Sequence, residues 1–164
     1  MIVLGLDPGP TNSGLALYDS DAREVIEACK SITTADAMDL ITRVAGKFGI
    51  DLVAIERVQS YGIAGASLLR TAEVGGMLHR CASNLGLDVV WLYRREVLRG
   101  LDVTGKGNRD SLVRQRLIEI HGGDRASAVG TKARPGPLYG VASHAWQALA
   151  VAVVAGMESG DASP

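Results

Sequence analysis

Cysteine is scarce in this chain, and long uninterrupted hydrophobic runs are missing from it. The two cysteines, Cys29 and Cys81, do not have the spacing of a cysteine-based metal site. Because both lie in apolar surroundings, we expect reduced, buried thiols in a cytoplasmic protein. Charges, glycines or prolines interrupt each apolar run, so that none reaches the length of about 18 residues that a membrane span needs. The first residues lack the basic segment and the cleavage site of a signal peptide. We therefore expect neither a membrane segment nor a secretory leader.

The composition is that of a globular protein. Hydrophobic residues make up 47% of the 164 residues and charged residues 21%. This is enough apolar material to form a core without metal or disulfide cross-links, and too much for a disordered chain. We expect one domain over residues 1–158, followed by a frayed tail over residues 159–164.

The net charge of −1 conceals an uneven distribution of charge along the chain. Residues 1–92 carry 7 basic and 11 acidic side chains, whereas residues 93–134 carry 10 basic and 5 acidic ones. A local basic segment can bind phosphate groups even when the whole chain is nearly neutral. A solvated helix face with a basic bias is the alternative interpretation of the same segment.

The order of apolar runs and turn residues predicts an α/β fold. We expect a β-hairpin over residues 2–17, a third strand over 24–31, a helix from Thr34 or Asp36 to about Phe48, and a buried strand over 51–56. A long helix to about residue 85, a strand over 87–92 and a short helix follow. A basic helix over 110–121, an irregular segment over 122–137 and a buried helix over 142–157 complete the chain. This order favours a mixed sheet, with an antiparallel meander and then parallel strands, and with helices on both faces.

Two carboxylates stand at the ends of apolar strands. Asp7 ends the first strand and Glu56 ends the strand over residues 51–56, so the two groups meet if those strands are neighbours in one sheet. Two convergent carboxylates without a histidine or cysteine cluster suit Mg²⁺ or Mn²⁺. A pair of such ions is common in phosphodiester hydrolysis, where one activates the attacking water and the other stabilises the leaving oxygen. For Asp7 alone, a carboxylate that caps a turn is the alternative.

Polar residues at the start of the apolar last helix are candidates for the rest of the carboxylate site. His144 and Gln147 are three residues apart and would share one face of a helix over residues 142–157. Hydrogen bonding at the entry to the helix is the alternative role for this pair.

Four segments resemble, in order and spacing, the motifs of RuvC-like Holliday junction resolvases. They are Gly5-Leu6-Asp7-Pro8-Gly9 with Gly14, Ala54-Ile55-Glu56, the loop Val103-Thr104-Gly105-Lys106-Gly107-Asn108, and residues 144–152. The resemblance covers about residues 1–156. It implies an RNase H-like fold, a homodimer, and symmetrical nicking of four-way DNA junctions that depends on Mg²⁺ (or Mn²⁺), with two ions per active site. By position it implies that Asp7, Glu56, His144 and Gln147 are the catalytic and metal-binding set.

Gln147 departs from the pattern of that family, which has an aspartate at the matching position. A carboxamide oxygen can coordinate a cation but carries no charge, so it holds the ion less tightly. Three interpretations follow: a native enzyme with a weakened metal site, a natural junction binder that no longer cuts, or a chain altered to trap a complex.

The resemblance also suggests DNA contacts outside the carboxylate set. Tyr61 falls in a loop where an aromatic side chain could stack on an unpaired base, although it could also be an ordinary surface aromatic. The candidate phosphate contacts lie in the glycine-rich loop, in the helix after it and before the last helix. They are Lys106, Asn108, Arg109, Arg114, Lys132 and Arg134.

The long helix after Tyr61 resembles the dimer-interface helix of the family. Its segment Glu73-Val74-Gly75-Gly76 contains a glycine pair that would let two backbones approach closely, and packing within one chain is the alternative.

Three alternative functions fit parts of the sequence: an actin-like ATPase domain, an inactive RNase H-like binding module, and a generic nuclease for RNA–DNA hybrids. The ATPase would need a second phosphate-binding hairpin and a longer chain than the 164 residues present.

Overall fold

The computed structural model describes residues 1–60, 62–105 and 107–160, and in these it has five strands and six helices. The strands are β1 Ile2–Asp7, β2 Asn12–Asp19, β3 Glu24–Thr33, β4 Leu52–Arg57 and β5 Val89–Tyr93. The helices are α1 Thr34–Lys47, α2 Ala66–Asn84, α3 Arg94–Gly100, α4 Arg109–Gly122, α5 Arg125–Ala128 and α6 Ala145–Gly160.

The five strands form one mixed sheet in the order β3-β2-β1-β4-β5. β3, β2 and β1 are antiparallel neighbours, whereas β1, β4 and β5 run parallel. The predicted fold class is therefore confirmed: an antiparallel meander precedes the parallel strands. β1 and β4 are direct neighbours, which is the condition under which Asp7 and Glu56 were expected to meet.

Helices cover both faces of the sheet, because alternate residues of each strand point to opposite sides. On β1, Leu4 and Leu6 belong to the core beneath α1 and α2, while Val3 belongs to the core beneath α3, α4 and α6. On β4, Val53 and Ile55 belong to the first of these cores and Ala54 to the second. Each face of the sheet thus has its own apolar core.

Helix α6 lies almost directly on the backbone of β1 and β2. A Cβ atom at Gly5 would come within 2.0 Å of the carbonyl oxygen of Ala148, and one at Gly14 within 2.4 Å of the carbonyl oxygen of His144. Only glycine permits this approach at either position, since no side chain fits between helix and sheet. The two glycines therefore set the height of the first turn of α6 above the sheet.

The structure differs from the sequence-based prediction at several element ends. The side chain of Thr33, and not that of Thr34 or Asp36, caps α1 by accepting a hydrogen bond from the backbone N–H of Asp36. The predicted irregular segment over 122–137 contains the short helix α5, which Asp124 caps in the same way. The last helix begins at Ala145 and not near 142, so His144 lies in the turn before it.

Residues 161–164 of the predicted tail lie outside the described residues, and α6 continues through Gly160. The two cysteines are free thiols, as expected, but each is half-buried and not fully buried. Among the described residues, no helix has the length and hydrophobicity to cross a membrane.

Candidate active site

Three charged side chains lie at one end of the parallel strands, on the face that α6 covers. The last register pair between β1 and β4 is Leu6 with Ile55, so Asp7 and Glu56 are the next residues on adjacent strands. Since side chains alternate along a strand, both carboxylates point to the same face as Ala54. Glu56 pairs in register with Leu92 of β5, and Arg94 follows two residues later. The sheet therefore brings together two carboxylates and one guanidinium.

Asp7 lies beside the turn that leads into α6. Its side chain is 19% exposed, and its Oδ2 atom is 3.6 Å from Nδ1 of His144, whose side chain is 56% exposed. Ser143, immediately before this histidine, has a φ of 49°, a left-handed conformation that is uncommon outside glycine. His144 is thus held next to Asp7 by a turn and not by the body of the helix.

Glu56 faces a different neighbour. Its Oε2 atom is 3.5 Å from Nη1 of Arg94, and the same nitrogen donates a hydrogen bond to Oε1 of Gln147. The other terminal nitrogen, Nη2, donates to Asp110 at the start of α4. Arg94 therefore links three elements, β4, α4 and α6, through one guanidinium group.

Burial makes both strand-end carboxyl groups harder to ionise. It raises the pKa of Asp7 from 3.8 to about 7, against the opposing effect of Arg94. It also raises the pKa of Glu56 to about 7, and the negative charges of Asp7 and Asp110 add to that rise while Arg94 opposes it. Two desolvated carboxyl groups side by side are the electrostatic setting that a bound cation would relieve.

The donor set fits one hard divalent cation better than it fits two. Asp7 and Glu56 offer carboxylate oxygens, the ligand type that Mg²⁺ and Mn²⁺ prefer, and remaining positions can be filled by water and phosphate oxygens. Within residues 1–60, 62–105 and 107–160, however, no three histidine, cysteine or acidic side chains form a metal-holding group. The carbonyl oxygen of Gln147 is turned to Arg94. A second ion would have to share this space with a permanent positive charge.

Comparison with solved structures gives the fold. No protein-family model matches the chain, and no curated protein does either. RuvC of Thermus thermophilus, solved in complex with a Holliday junction substrate, superposes with a TM-score of 0.70 at 19% identity, covering 99% of this chain and 96% of that one.

The chain has the RNase H-like fold of RuvC.

Two further resolvases share this RuvC-like fold. The yeast mitochondrial Holliday junction resolvase Ydc2 aligns with a TM-score of 0.57 at 16% identity, over 96% of this chain and 80% of its own. The fowlpox virus resolvase, solved with Holliday junction DNA, aligns with a TM-score of 0.55 at 14% identity, over 97% of this chain and 99% of its own. The structural resemblance to RuvC that the motifs predicted is therefore confirmed.

A groove of about 320 Å³ lies between α4 and the start of α6. Asn108, Asp110 and Arg114 line one side of it, and His144 and Gln147 line the other. The side chain of Asn108 is engaged in capping α4, where it accepts hydrogen bonds from two backbone N–H groups. The guanidinium carbon of Arg114 lies 5.1 Å from the centre of the Trp146 ring, which holds this basic side chain along the groove.

The other predicted phosphate contacts that the structure describes are not among the residues that line this groove. Arg109 is exposed at the first position of α4, and Lys132 and Arg134 are exposed in the turn that the Gly130–Pro135 bridge closes. Tyr61 and Lys106, also predicted to contact DNA, lie outside the described residues.

Sequence reasoning missed Arg94 and Asp110 as site residues. A signal was present, because β5 is the third parallel strand and the same argument that found Asp7 and Glu56 applies to its end. Tyr93 ends β5 and Arg94 begins α3 directly, without a loop between them. The position of Arg94 was thus readable from the order of the strands, but its contacts with Gln147 and Asp110 were not.

Proposed function

We propose that this protein is an endonuclease that binds four-way DNA junctions and nicks them symmetrically with the help of Mg²⁺ or Mn²⁺. One observation carries the proposal: the fold places Asp7 and Glu56 side by side at the ends of parallel strands. Both lie beneath a buried helix, where burial favours a bound cation. The resolvases named above share the fold, and those of Thermus thermophilus and fowlpox virus were solved with Holliday junctions.

The proposed reaction is hydrolysis of a phosphodiester bond. A divalent cation bound there would activate the attacking water and stabilise the leaving oxygen. Asp7 and Glu56 would hold that cation, and their burial would keep competing water away. His144, 3.6 Å from Asp7, would orient the attacking water or accept its proton. A pair of ions, which the sequence resemblance implies, stays a prediction.

The proposed DNA path follows the groove between α4 and α6. Arg114 lies along it. Arg109 begins α4, between Asn108 and Asp110 of the groove, and the N-terminus of this helix also favours a phosphate. Lys132 and Arg134 would contact a second arm of the junction. Phosphate contacts on several arms would select branched DNA by shape and not by sequence.

Symmetrical nicking requires two active sites, which a homodimer would supply. Helix α2 offers a candidate surface, since Leu69 and Met77 are 55% and 43% exposed and Gly76 is open to solvent. Gly75, by contrast, packs against the Trp91 ring of its own chain, where an added Cβ would lie 3.2 Å away. The predicted glycine pair thus divides between a core contact and an exposed face.

The cytoplasmic location and the organisation as a single domain, both expected from the sequence, stay predictions.

A nicking assay tests the proposal. The wild-type protein and Asp7→Asn are incubated with a synthetic four-way junction or a linear duplex of the same sequence, with Mg²⁺ or Mn²⁺. We expect paired nicks at symmetrical positions in the junction only, and intact binding but no nicks with the variant. Cutting of the linear duplex at the same rate would reject structure selectivity.

A second candidate function is a junction-binding protein that cuts weakly or not at all. The neutral Gln147 and the guanidinium beside it favour this candidate, since both reduce the pull on a divalent cation. Gln147→Asp distinguishes the two functions. If only the variant nicks the junction, the natural chain is a binder, whereas nicking by both supports the enzyme.

A further inference from the structure

We propose that the site holds a single divalent cation, on Asp7 and Glu56, and that Arg94 permanently occupies the place of a second positive charge. The inference deepens the proposed function, on which it rests for the role of the ion in hydrolysis. Its evidence is the set of contacts made by one guanidinium group.

Arg94 is fixed among the oxygens that a second ion would use. Nη1 lies 3.5 Å from Oε2 of Glu56 and also donates to Oε1 of Gln147, while Nη2 donates to Asp110. The side chain is 29% exposed, so protein covers most of it. A guanidinium has five donors and no acceptor, and it stays charged at any accessible pH. It can therefore replace a cation among carboxylates but can never coordinate one.

The formal charges agree with one ion. Glu56 and Asp110 pair with Arg94, and Asp7 interacts with it electrostatically, so that Arg94 reduces the total charge of these three carboxylates to −2 when all are ionised. One divalent cation balances that charge, whereas two would leave a net charge of +2 in a partly desolvated site.

Gln147 completes this arrangement. Its carbonyl oxygen accepts a hydrogen bond from the guanidinium without adding charge. A carboxylate on this turn of α6 would add one negative charge and restore the attraction for a second ion. Arg94 and Gln147 thus act as a pair: the arginine supplies a positive charge and the glutamine removes a negative one.

Asp7 is left as the open half of the site. Arg94 contacts Glu56, Gln147 and Asp110, whereas Asp7 lies beside the exposed His144, at 3.6 Å. The single ion therefore has its place on the Asp7 side, next to the histidine.

The test is the number of Mn²⁺ ions bound per chain, measured without DNA by the loss of the free-ion signal in electron paramagnetic resonance. The wild type is compared with Arg94→Met, Arg94→Lys and the double variant Arg94→Met with Gln147→Asp. Arg95→Met is the matched control, because Arg95 is the exposed neighbour on the same helical turn and stacks on the Tyr93 ring. Circular dichroism checks that each variant is folded.

We expect one ion per chain for the wild type, Arg94→Lys and Arg95→Met. Arg94→Met should bind its ion at least about 10-fold more tightly, because a repelling charge is gone. The double variant should bind two ions and show the exchange-coupled spectrum of neighbouring Mn²⁺. Two coupled ions in the wild type, or none, would overturn the proposal, and so would a folded double variant that binds only one.

The wild-type count needs no variant, so the proposal can fail even if the double variant does not fold. The ion count and the proposed nuclease function can also fail independently of each other. One ion per chain without any nicking of a four-way junction would reject the nuclease and keep the ion count. Symmetrical nicking with two ions bound to the wild type would reject the single-ion proposal and support the nuclease.

Discussion

The two carboxylates at the ends of β1 and β4 occupy equivalent places in the sheet but have different surroundings. Asp7 lies beside His144 in an exposed turn, whereas Glu56 lies beside the guanidinium of Arg94, which also contacts Gln147 and Asp110. The sheet makes the two positions alike, and the helices that cover it make them unlike. Under the proposed function, the difference means that the Asp7 half is open to a cation from solution, whereas the Glu56 half already holds the positive charge of Arg94.

The largest expected effect comes from removing the charge of the open half. Asp7→Asn should lower junction cleavage at least about 1,000-fold, or about 4 kcal/mol in activation free energy, because the amide no longer holds the cation. Junction affinity should stay within about 3-fold of the wild type. Single-turnover cleavage and gel-shift assays measure the two quantities, with the exposed Asp39→Asn on α1 as control. Equal losses of binding and cleavage would make Asp7 a structural residue.

The next effect concerns the glycines that hold α6 over both halves. Gly5→Ala should lower the free energy of unfolding by about 3 kcal/mol, because its Cβ would lie 2.0 Å from the carbonyl oxygen of Ala148. Gly46→Ala, in α1, has nothing within 4 Å of the new atom and should raise stability by about 0.5–1 kcal/mol. Urea unfolding measures both. A Gly5→Ala variant with the same free energy of unfolding as the wild type would mean that α6 can move away from the sheet.

The third effect is the pH dependence of the contribution that Asp7, in the open half of the site, makes to the stability of the fold. The folded-state pKa of Asp7, about 7, exceeds its ordinary value of 3.8, so the folded chain retains a proton there that the unfolded chain has lost. The cost of ionising this buried group is absent below about pH 4, grows between about pH 4 and 7, and is constant at higher pH. Asp7→Asn should therefore be more stable than the wild type by about 1–3 kcal/mol near pH 8 and equal to it near pH 4.

Thermal unfolding at the two pH values, with and without Mg²⁺, measures this difference. Added Mg²⁺ should stabilise the wild type and leave Asp7→Asn unchanged, since a ligand stabilises only the chain that binds it. A stability difference that is the same at both pH values would show that Asp7 is ionised without cost.

The smallest effect probes the groove beside Gln147. Arg114→Ala should weaken junction binding about 3- to 10-fold and reduce the dependence of log affinity on log salt concentration by about 1, as expected for one lost phosphate contact. Arg43→Ala is the matched control, because Arg43 pairs with Glu27 at 2.5 Å on the opposite face of the sheet. An unchanged salt dependence in Arg114→Ala would place the DNA elsewhere.

Much of the fold could be predicted from the sequence, because its strands are short apolar runs with clear ends. The same regularity gave Asp7 and Glu56 as neighbours. His144 was predicted to lie inside the last helix, because residues 142–145 have the composition of a helix. It lies before that helix, which begins at Ala145, since Ser143 adopts a left-handed turn. Arg94 was overlooked because the interactions that define it join residues 38, 53 and 16 positions apart. Such contacts depend on tertiary packing and leave no local pattern.

The close contact of α6 with Gly5 and Gly14 also bears on how this site can evolve. The helix cannot move away from the strands without opening the core, and it cannot move closer, so the spacing between position 147 and the strand-end carboxylates is constant. Substitutions at positions 94 and 147 therefore change the charge of the site while its dimensions stay the same. If the proposed function holds, a lineage could gain or lose an ion, and with it activity, through substitutions at one or two positions and with no intermediate that has to refold.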